Sequence, residues 1–184
     1  MSILEFIQVL VSIILALGIA ELLKGWADFI RAESVRPNPI VLGFGAWLGL
    51  SHLQFWWIGW RFRVAETWVF PELLLYATSP VILYLTARIL FPQTVEGSDL
   101  VSYYRRIGPT LWRLVAALFV SFVLVNTLLL DTPLLSAGPL SQFALAVVAL
   151  VASQVDRSSL HWLAIVLLLI QLSWRTTLDV VALG

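Results

Sequence analysis

The chain lacks cysteine and is poor in charged residues. Its 184 residues include no cysteine and only two histidines. The absence of thiols excludes disulfide bridges, iron–sulfur clusters, thiolate zinc sites and cysteine nucleophiles. Charged residues make up 12 %, about half the usual share, and 11 basic residues balance 11 acidic ones. Because the net charge is zero, we expect no nucleic-acid partner.

Apolar residues take the place of the missing charge. They make up 60 % of the chain, and the mean hydropathy is +0.95. Several runs approach the roughly 20 apolar residues that cross a bilayer. A soluble core of this size could not bury so much apolar surface, so we expect the lipid bilayer to be the main partner.

Breaks in the apolar pattern predict an all-α polytopic membrane protein, a single domain over 1–184. Helix-breaking sequences such as Arg36-Pro37-Asn38-Pro39 separate the segments. Glu5 stands where a signal peptide would carry a basic region, so we interpret the first segment as an uncleaved span. The bundle has six predicted transmembrane helices, at about 3–23, 40–63, 72–91, 110–130, 140–155 and 159–179.

A further helix is predicted at about 98–107, between the third and fourth spans. Leu100, Tyr103, Tyr104 and Ile107 recur at helical spacing there, beside two arginines. This pattern is typical of an amphipathic helix on the membrane surface, and a solvated linker is the alternative.

The distribution of basic residues predicts the orientation. If the N-terminus is outside, eight basic residues lie at cytoplasmic ends: Lys24, Arg31, Arg36, Arg88, Arg105, Arg106, Arg113 and Arg157. Only three then lie outside: Arg61, Arg63 and Arg175. The positive-inside rule therefore predicts that both termini are extracytoplasmic.

The second span carries the most distinctive pattern. Gly45, Gly49, His52 and Gly59 fall on one face of a helix there. A face of small residues allows a neighbouring helix to approach closely, so we expect this span near the centre of the bundle. His52 is either a hydrogen-bonded packing residue, a ligand or a proton relay.

Ionisable and amide groups within spans need a partner or a use. We hypothesise that Glu5, Gln8, His52 and Arg63 converge on a ligand-binding pocket near the outer face. In this arrangement Glu5 pairs with Arg63, and Gln8 and His52 differ in depth by about 8 Å. Other charged residues are candidates for structural ion pairs: Glu21, Arg88, Arg175 and Asp179.

Motifs for catalysis and for bound metals are missing from the sequence. It contains no nucleophile elbow, phosphate-binding glycine loop or paired-histidine metal spacing. His52 and His161 differ in depth by about 15 Å, too far to ligate one haem iron. We therefore expect no metal and no cofactor, and an intramembrane enzyme ranks third, behind the two classes of function given below.

Four segments occur in an order that resembles a group of small bacterial membrane proteins with no assigned activity: LVSIILALGIAELLKGW, QFWWIGWR, FPELLL with SPVILYLTARILFP, and DLVSYYRR. The likeness covers residues 3–106. Its most specific part is Trp56-Trp57 followed by the segment from Pro80 to Pro92. The resemblance implies a bacterial inner-membrane location and transfers no site residue.

Two classes of function remain open. The first is a small membrane protein that binds or transports a solute or ion through the polar groups near the outer face. The second is a non-catalytic accessory or scaffold subunit, in a homo-oligomer or a larger membrane complex, whose tryptophan-rich faces contact other proteins.

Overall fold

The computed structural model describes residues 3–64 and 68–183, except for the side chains of residues 60, 63, 64 and 175–183. Within these residues the fold has six α-helices and no β-strand, which confirms the all-α prediction. The helices are α1 Ile3–Arg31, α2 Pro39–Ile58, α3 Phe70–Leu90, α4 Leu100–Leu128, α5 Ala137–Ala152 and α6 Ser158–Leu183, with a 3₁₀ helix at Gly59–Val64 after α2.

Three of the described helices, α1, α3 and α4, are long and apolar enough to cross a membrane. The outward face of α1 is apolar, because Phe6, Ile13 and Leu17 are each more than half exposed. Histidine, glutamine and tryptophan side chains lower the hydropathy of α2. With 16 residues, α5 is about 24 Å long, less than a typical hydrocarbon core. These features are compatible with a membrane protein.

One stripe of α1 faces the other helices. Its buried residues recur at intervals of three and four: Ile7, Val11, Leu15, Gly18, Leu22 and Gly25. This spacing forms a continuous packing face on a helix. The stripe contacts α3 and α2, and its glycines allow the closest approach. A Cβ added at Gly18 would overlap the His52 ring, and one at Gly25 would overlap the Phe91 ring.

The second helix lies at the centre of the fold. It contacts α1, α3 and α6. Its aromatic side chains also reach α4: Phe44 meets Trp112 edge-on at 5.3 Å between ring centroids, and Phe55 stacks on Phe122 at 6.0 Å. Phe44 is fully buried. The small face of α2 therefore receives α1, and its aromatic face packs on α4.

The structure differs from the sequence-based expectation at 98–107. Those residues do not form a separate surface helix, because α4 runs without interruption from Leu100 to Leu128 with Pro109 inside it. Proline removes one backbone donor and frees the carbonyl four residues earlier, here that of Arg105, and α4 continues through this local loss. Leu100 and Tyr104 are buried against the bundle rather than facing a membrane surface.

The α1–α2 loop pairs with the α3–α4 loop through backbone hydrogen bonds. Arg36 N donates to Ser98 O, and Leu100 N donates to Arg36 O, both at 3.0 Å. Asp99 caps α4 by accepting from Val101 N at 2.9 Å, and it lies 3.4 Å from Arg36. Hydrogen bonds from the Ser102 hydroxyl and from backbone amides, together with the Arg36 charge, lower the pKa of Asp99. The pairing joins two helical hairpins at one end of the bundle.

Candidate functional site

His52 lies in a closed part of the core. Its side chain has no exposed surface, and its Nδ1 lies 2.7 Å from the carbonyl oxygen of Leu48, one turn earlier. A carbonyl oxygen only accepts, so Nδ1 carries the proton and donates. The other ring edge packs on Gly18, where Nε2 has no hydrogen-bond partner among the described residues. His52 is therefore a packing residue that fills the space left by Gly18.

Gln8 lies elsewhere on α1. Its Oε1 accepts a hydrogen bond from the Tyr76 hydroxyl at 3.2 Å, and its amide packs on Gly59. Gln8 and Gly18 are ten residues apart on one helix, about 15 Å. The structure therefore does not bring Gln8 and His52 into one pocket. The expected difference in depth of about 8 Å between Gln8 and His52 was wrong, because the register of α1 against α2 places Gly59, and not His52, opposite Gln8.

The other residues of the hypothesised pocket lie toward the helix ends. Glu5 is exposed in the first turn of α1. Arg63 belongs to the 3₁₀ helix, and its side chain is outside the described part of the chain. The Glu5–Arg63 pairing thus remains a prediction.

One charged pair joins α1 to α3. Arg88 Nη1 lies 3.3 Å from Glu21 Oε2, with the two side chains 45 % and 28 % exposed. A partly exposed pair of this kind contributes about 0–1 kcal/mol in water, so its main role is to align the helices. Arg175 and Asp179 lie in the last part of α6, whose side chains are not described.

The main polar opening of the described residues lies between α2, α4, α5 and α6. It is a cavity of about 60 Å³, partly open at the end of the bundle where α1 begins. At roughly 10–15 Å³ per water, it has room for about four to six water molecules. We call it the amide cavity, after its polar residues: Gln54, Asn126, Gln142 and Gln171.

The four amides link the helices around the cavity. Gln54 Nε2 donates to Leu172 O at 3.1 Å, joining α2 to α6. Asn126 Nδ2 donates to Gln142 Oε1 at 3.3 Å, joining α4 to α5. Gln171 Nε2 donates to Ser141 Oγ at 3.2 Å, joining α6 to α5. These bonds fix the orientation of the amides.

Part of the hydrogen-bonding capacity of the amides is unused. Asn126 Oδ1, Gln142 Nε2 and Gln171 Oε1 make no hydrogen bond to the described residues. Asn126 and Gln142 are nevertheless buried, at 7 % and 3 % exposure. Their free amide atoms are not among the fully enclosed polar atoms without a partner, so they are accessible from the cavity. The cavity therefore presents both acceptors and a donor to an occupant.

Aromatic rings form the opposite wall of the cavity. Phe55, Phe62 and Tyr76 contact one another, with centroids 4.6 Å apart for Phe62 and Tyr76 and 5.6 Å for Phe55 and Tyr76. Phe119 and Phe122 complete the wall from α4. Arg61 is exposed, and it is the charged residue among the described lining residues. The arrangement suits a small occupant with a polar edge and an apolar face.

Sequence reasoning missed this site because it followed charged residues. The expected pocket was built on Glu5, Gln8, His52 and Arg63, and it included none of the cavity amides. A usable signal is present in hindsight: each of the amides interrupts an apolar run on α2, α4, α5 or α6. Only the packing shows that the amides face one space.

Two further observations concern metal-binding side chains and the second histidine. No group of three metal-binding side chains occurs among the residues searched, which are those the structure describes. His161 is buried at the far end from the amide cavity, with both ring nitrogens hydrogen-bonded, to Tyr104 and to Ala152 O. No protein-family model, curated protein or solved structure matches this chain.

Proposed function

We propose that this chain is a six-span bacterial inner-membrane protein that binds a small, neutral, polar solute in the amide cavity. The observation that carries the proposal is the set of amide atoms that line the cavity and make no hydrogen bond to the described residues. Amides both donate and accept, and the described lining contains no carboxylate and no lysine. Apart from the exposed Arg61, such a lining offers no counter-charge, so it favours an uncharged solute.

The size of the cavity limits the solute and its affinity. Room for about four to six waters corresponds to a solute of about four to six non-hydrogen atoms. The best ligands of this size gain at most about 1.5 kcal/mol per atom, so Kd is no tighter than roughly 40 µM for four atoms and roughly 0.3 µM for six.

The proposed topology places the cavity mouth on the outer side, with both termini extracytoplasmic. Its support is the distribution of basic residues, eight against three in favour of this orientation. Because the chain contains no cysteine, single cysteines at Leu135 and Gln93 report topology without background labelling. Both positions are exposed and lie in the loops on either side of α4.

Labelling of these cysteines in intact cells tests the orientation. We expect a membrane-impermeant thiol reagent to label Leu135→Cys in intact cells and Gln93→Cys only after permeabilisation. The reverse pattern would place the amide cavity mouth in the cytoplasm. Equal labelling of both would contradict a membrane-spanning α4.

Solute binding is tested with urea, acetamide and glycerol as probes. Saturation-transfer NMR on the purified protein detects binding, and stopped-flow swelling of proteoliposomes detects passage. We expect Asn126→Leu with Gln142→Leu to abolish the signal for the preferred probe. The double change removes both members of the amide pair, so neither is left buried alone.

Thr127→Val is the matched control for that experiment. Thr127 neighbours Asn126, but its hydroxyl donates to its own helix, to Val123 O at 2.8 Å. We expect this variant to bind the probe as the unchanged protein does. Absence of a signal for all three probes, or an unchanged signal in the double variant, would contradict solute binding in the amide cavity.

The second candidate is an accessory subunit of a membrane complex. The observation in its favour is the pair Trp56 and Trp57, which are 53 % and 50 % exposed on α2. If this candidate is correct, Trp56→Ala with Trp57→Ala should release co-purifying proteins in mild detergent and leave the probe experiments unaffected.

A further inference from the structure

A second opening lies at the other end of the bundle. It has a volume of about 110 Å³ and lies between the start of α4 and the link that joins α5 to α6. Gly108, which lines this opening, and Asn126, which lines the amide cavity, are separated by about 27 Å along α4. We call this opening the notch, and its rim contains Arg105, Ser153, Gln154 and Asp156.

The floor of the notch is closed by a chain of hydrogen bonds. Trp112 Nε1 donates to the Tyr104 hydroxyl at 2.9 Å, and that hydroxyl is hydrogen-bonded to His161 Nδ1 at 3.0 Å. His161 Nε2 then donates to Ala152 O at 3.1 Å. Because these groups already have partners, an occupant of the notch would bind at the rim.

The rim carries one charge of each sign. Arg105 Nε lies 3.8 Å from Asp156 Oδ2, and the two side chains are 70 % and 71 % exposed. A pair this exposed is weak, so either partner can turn to an occupant at little cost. A ligand that carries both a negative and a positive group would match both members of the pair.

The length of α5 places the notch near lipid headgroups. If α5 crosses the bilayer, as the proposed function holds, its 16 residues span about 24 Å of a hydrocarbon core near 30 Å. A short span is accommodated by local thinning of the bilayer, which brings headgroups down toward the helix end. Leu150 and Val151, in the last turn of α5, are about half exposed and could contact acyl chains.

We propose that the notch binds the headgroup of a zwitterionic phospholipid with a primary ammonium, of the phosphatidylethanolamine type. Arg105 contacts the phosphate, and Asp156 accepts hydrogen bonds from the ammonium. A phosphatidylcholine headgroup has no ammonium hydrogen to donate, and phosphatidylglycerol has no cation for Asp156. At about 10–15 Å³ per water-sized unit, the notch has room for the about eight non-hydrogen atoms of the headgroup.

Native mass spectrometry of the detergent-purified protein tests this proposal. The three lipids are added with identical acyl chains. We expect phosphatidylethanolamine to bind most tightly, and Arg105→Gln and Asp156→Asn each to weaken it by about five- to tenfold. Both changes are at exposed positions, so the variants should fold, which the melting profile verifies.

Arg106→Gln is the matched control. Arg106 neighbours Arg105 in sequence, but it is exposed and lies 5.4 Å from the Tyr103 ring centroid. We expect it to leave the lipid preference unchanged. Equal binding of the three lipids, preference for phosphatidylglycerol, or a preference that survives both rim variants would overturn the proposal. Probe binding in the amide cavity is measured separately, so failure there would not be confused with failure here.

Discussion

Replacing Gly18 with alanine examines the contact on which the central packing depends. An added Cβ would overlap the His52 ring. The ring cannot swing aside, because it has no exposed surface and its Nδ1 is hydrogen-bonded to Leu48. Overpacking of this kind costs about 1–3 kcal/mol, while alanine gains about 1 kcal/mol over glycine in a helix. We therefore expect Gly18→Ala to lower the free energy of unfolding by about 0–2 kcal/mol.

Gly49→Ala is the matched control for this change. The nearest atom to an added Cβ there is Leu22 Cδ1, at 3.9 Å, an ordinary van der Waals contact. Only the helix-propensity gain then remains, so this variant should be neutral or up to about 1 kcal/mol more stable. The two variants should thus differ by about 1–3 kcal/mol in denaturant unfolding in detergent micelles.

A double-mutant cycle assigns the difference to the histidine ring. With His52→Ala in the background, Gly18→Ala no longer meets a ring and should become neutral or stabilising. A measured coupling near zero, or equal stability of the two glycine variants, would refute the close packing of α1 on α2.

Three further changes concern stability. Asp99→Asn keeps the cap of α4 but removes the charge. The folded pKa of Asp99 lies below its ordinary value of 3.8. The ionised carboxylate therefore stabilises the fold above that pH, and this stabilisation is lost as the pH falls through the folded pKa. The melting temperatures of Asp99→Asn and the unchanged protein should therefore differ at neutral pH and converge in acid. Ser79→Ala removes a 2.8 Å bond between α3 and α4 to Ser121 and should cost about 0.5–1.5 kcal/mol in denaturant unfolding. Tyr104→Phe leaves Trp112 Nε1 without its partner and should cost about 1–3 kcal/mol by the same measurement. A pH-independent difference for Asp99→Asn, or unchanged unfolding of either other variant, would contradict these interactions.

Local sequence signals were sufficient to predict that the chain forms helices separated by short loops. Prolines and caps act within a few residues of their own position, so they can be recognised in the sequence. The sequence Arg36-Pro37-Asn38-Pro39 does separate α1 from α2, and Asn38 caps α2 by accepting from Ile40 N at 3.0 Å. Asp99 is a similar cap for α4, which begins at Leu100 rather than at the expected start of the fourth span near residue 110.

Contacts between helices could not be predicted in the same way. The sequence indicated that the glycine face of α2 receives a neighbour, and α1 does lie there. It did not indicate the register, and a shift of one turn moves a contact by about 5.4 Å. The register places His52 against Gly18, about 15 Å along α1 from Gln8.

The amino-acid sequence by itself determined the all-α class, the apolar character and the absence of thiol chemistry, because these depend on composition and on local spacing. Only the tertiary structure decided that His52 is enclosed in the core and that Asn126, Gln142 and Gln171 face one cavity. The four residues lie on four different helices, and their surroundings depend on the rotation and depth of each helix. Rotation and depth are set by packing over the whole interface, which no local pattern encodes.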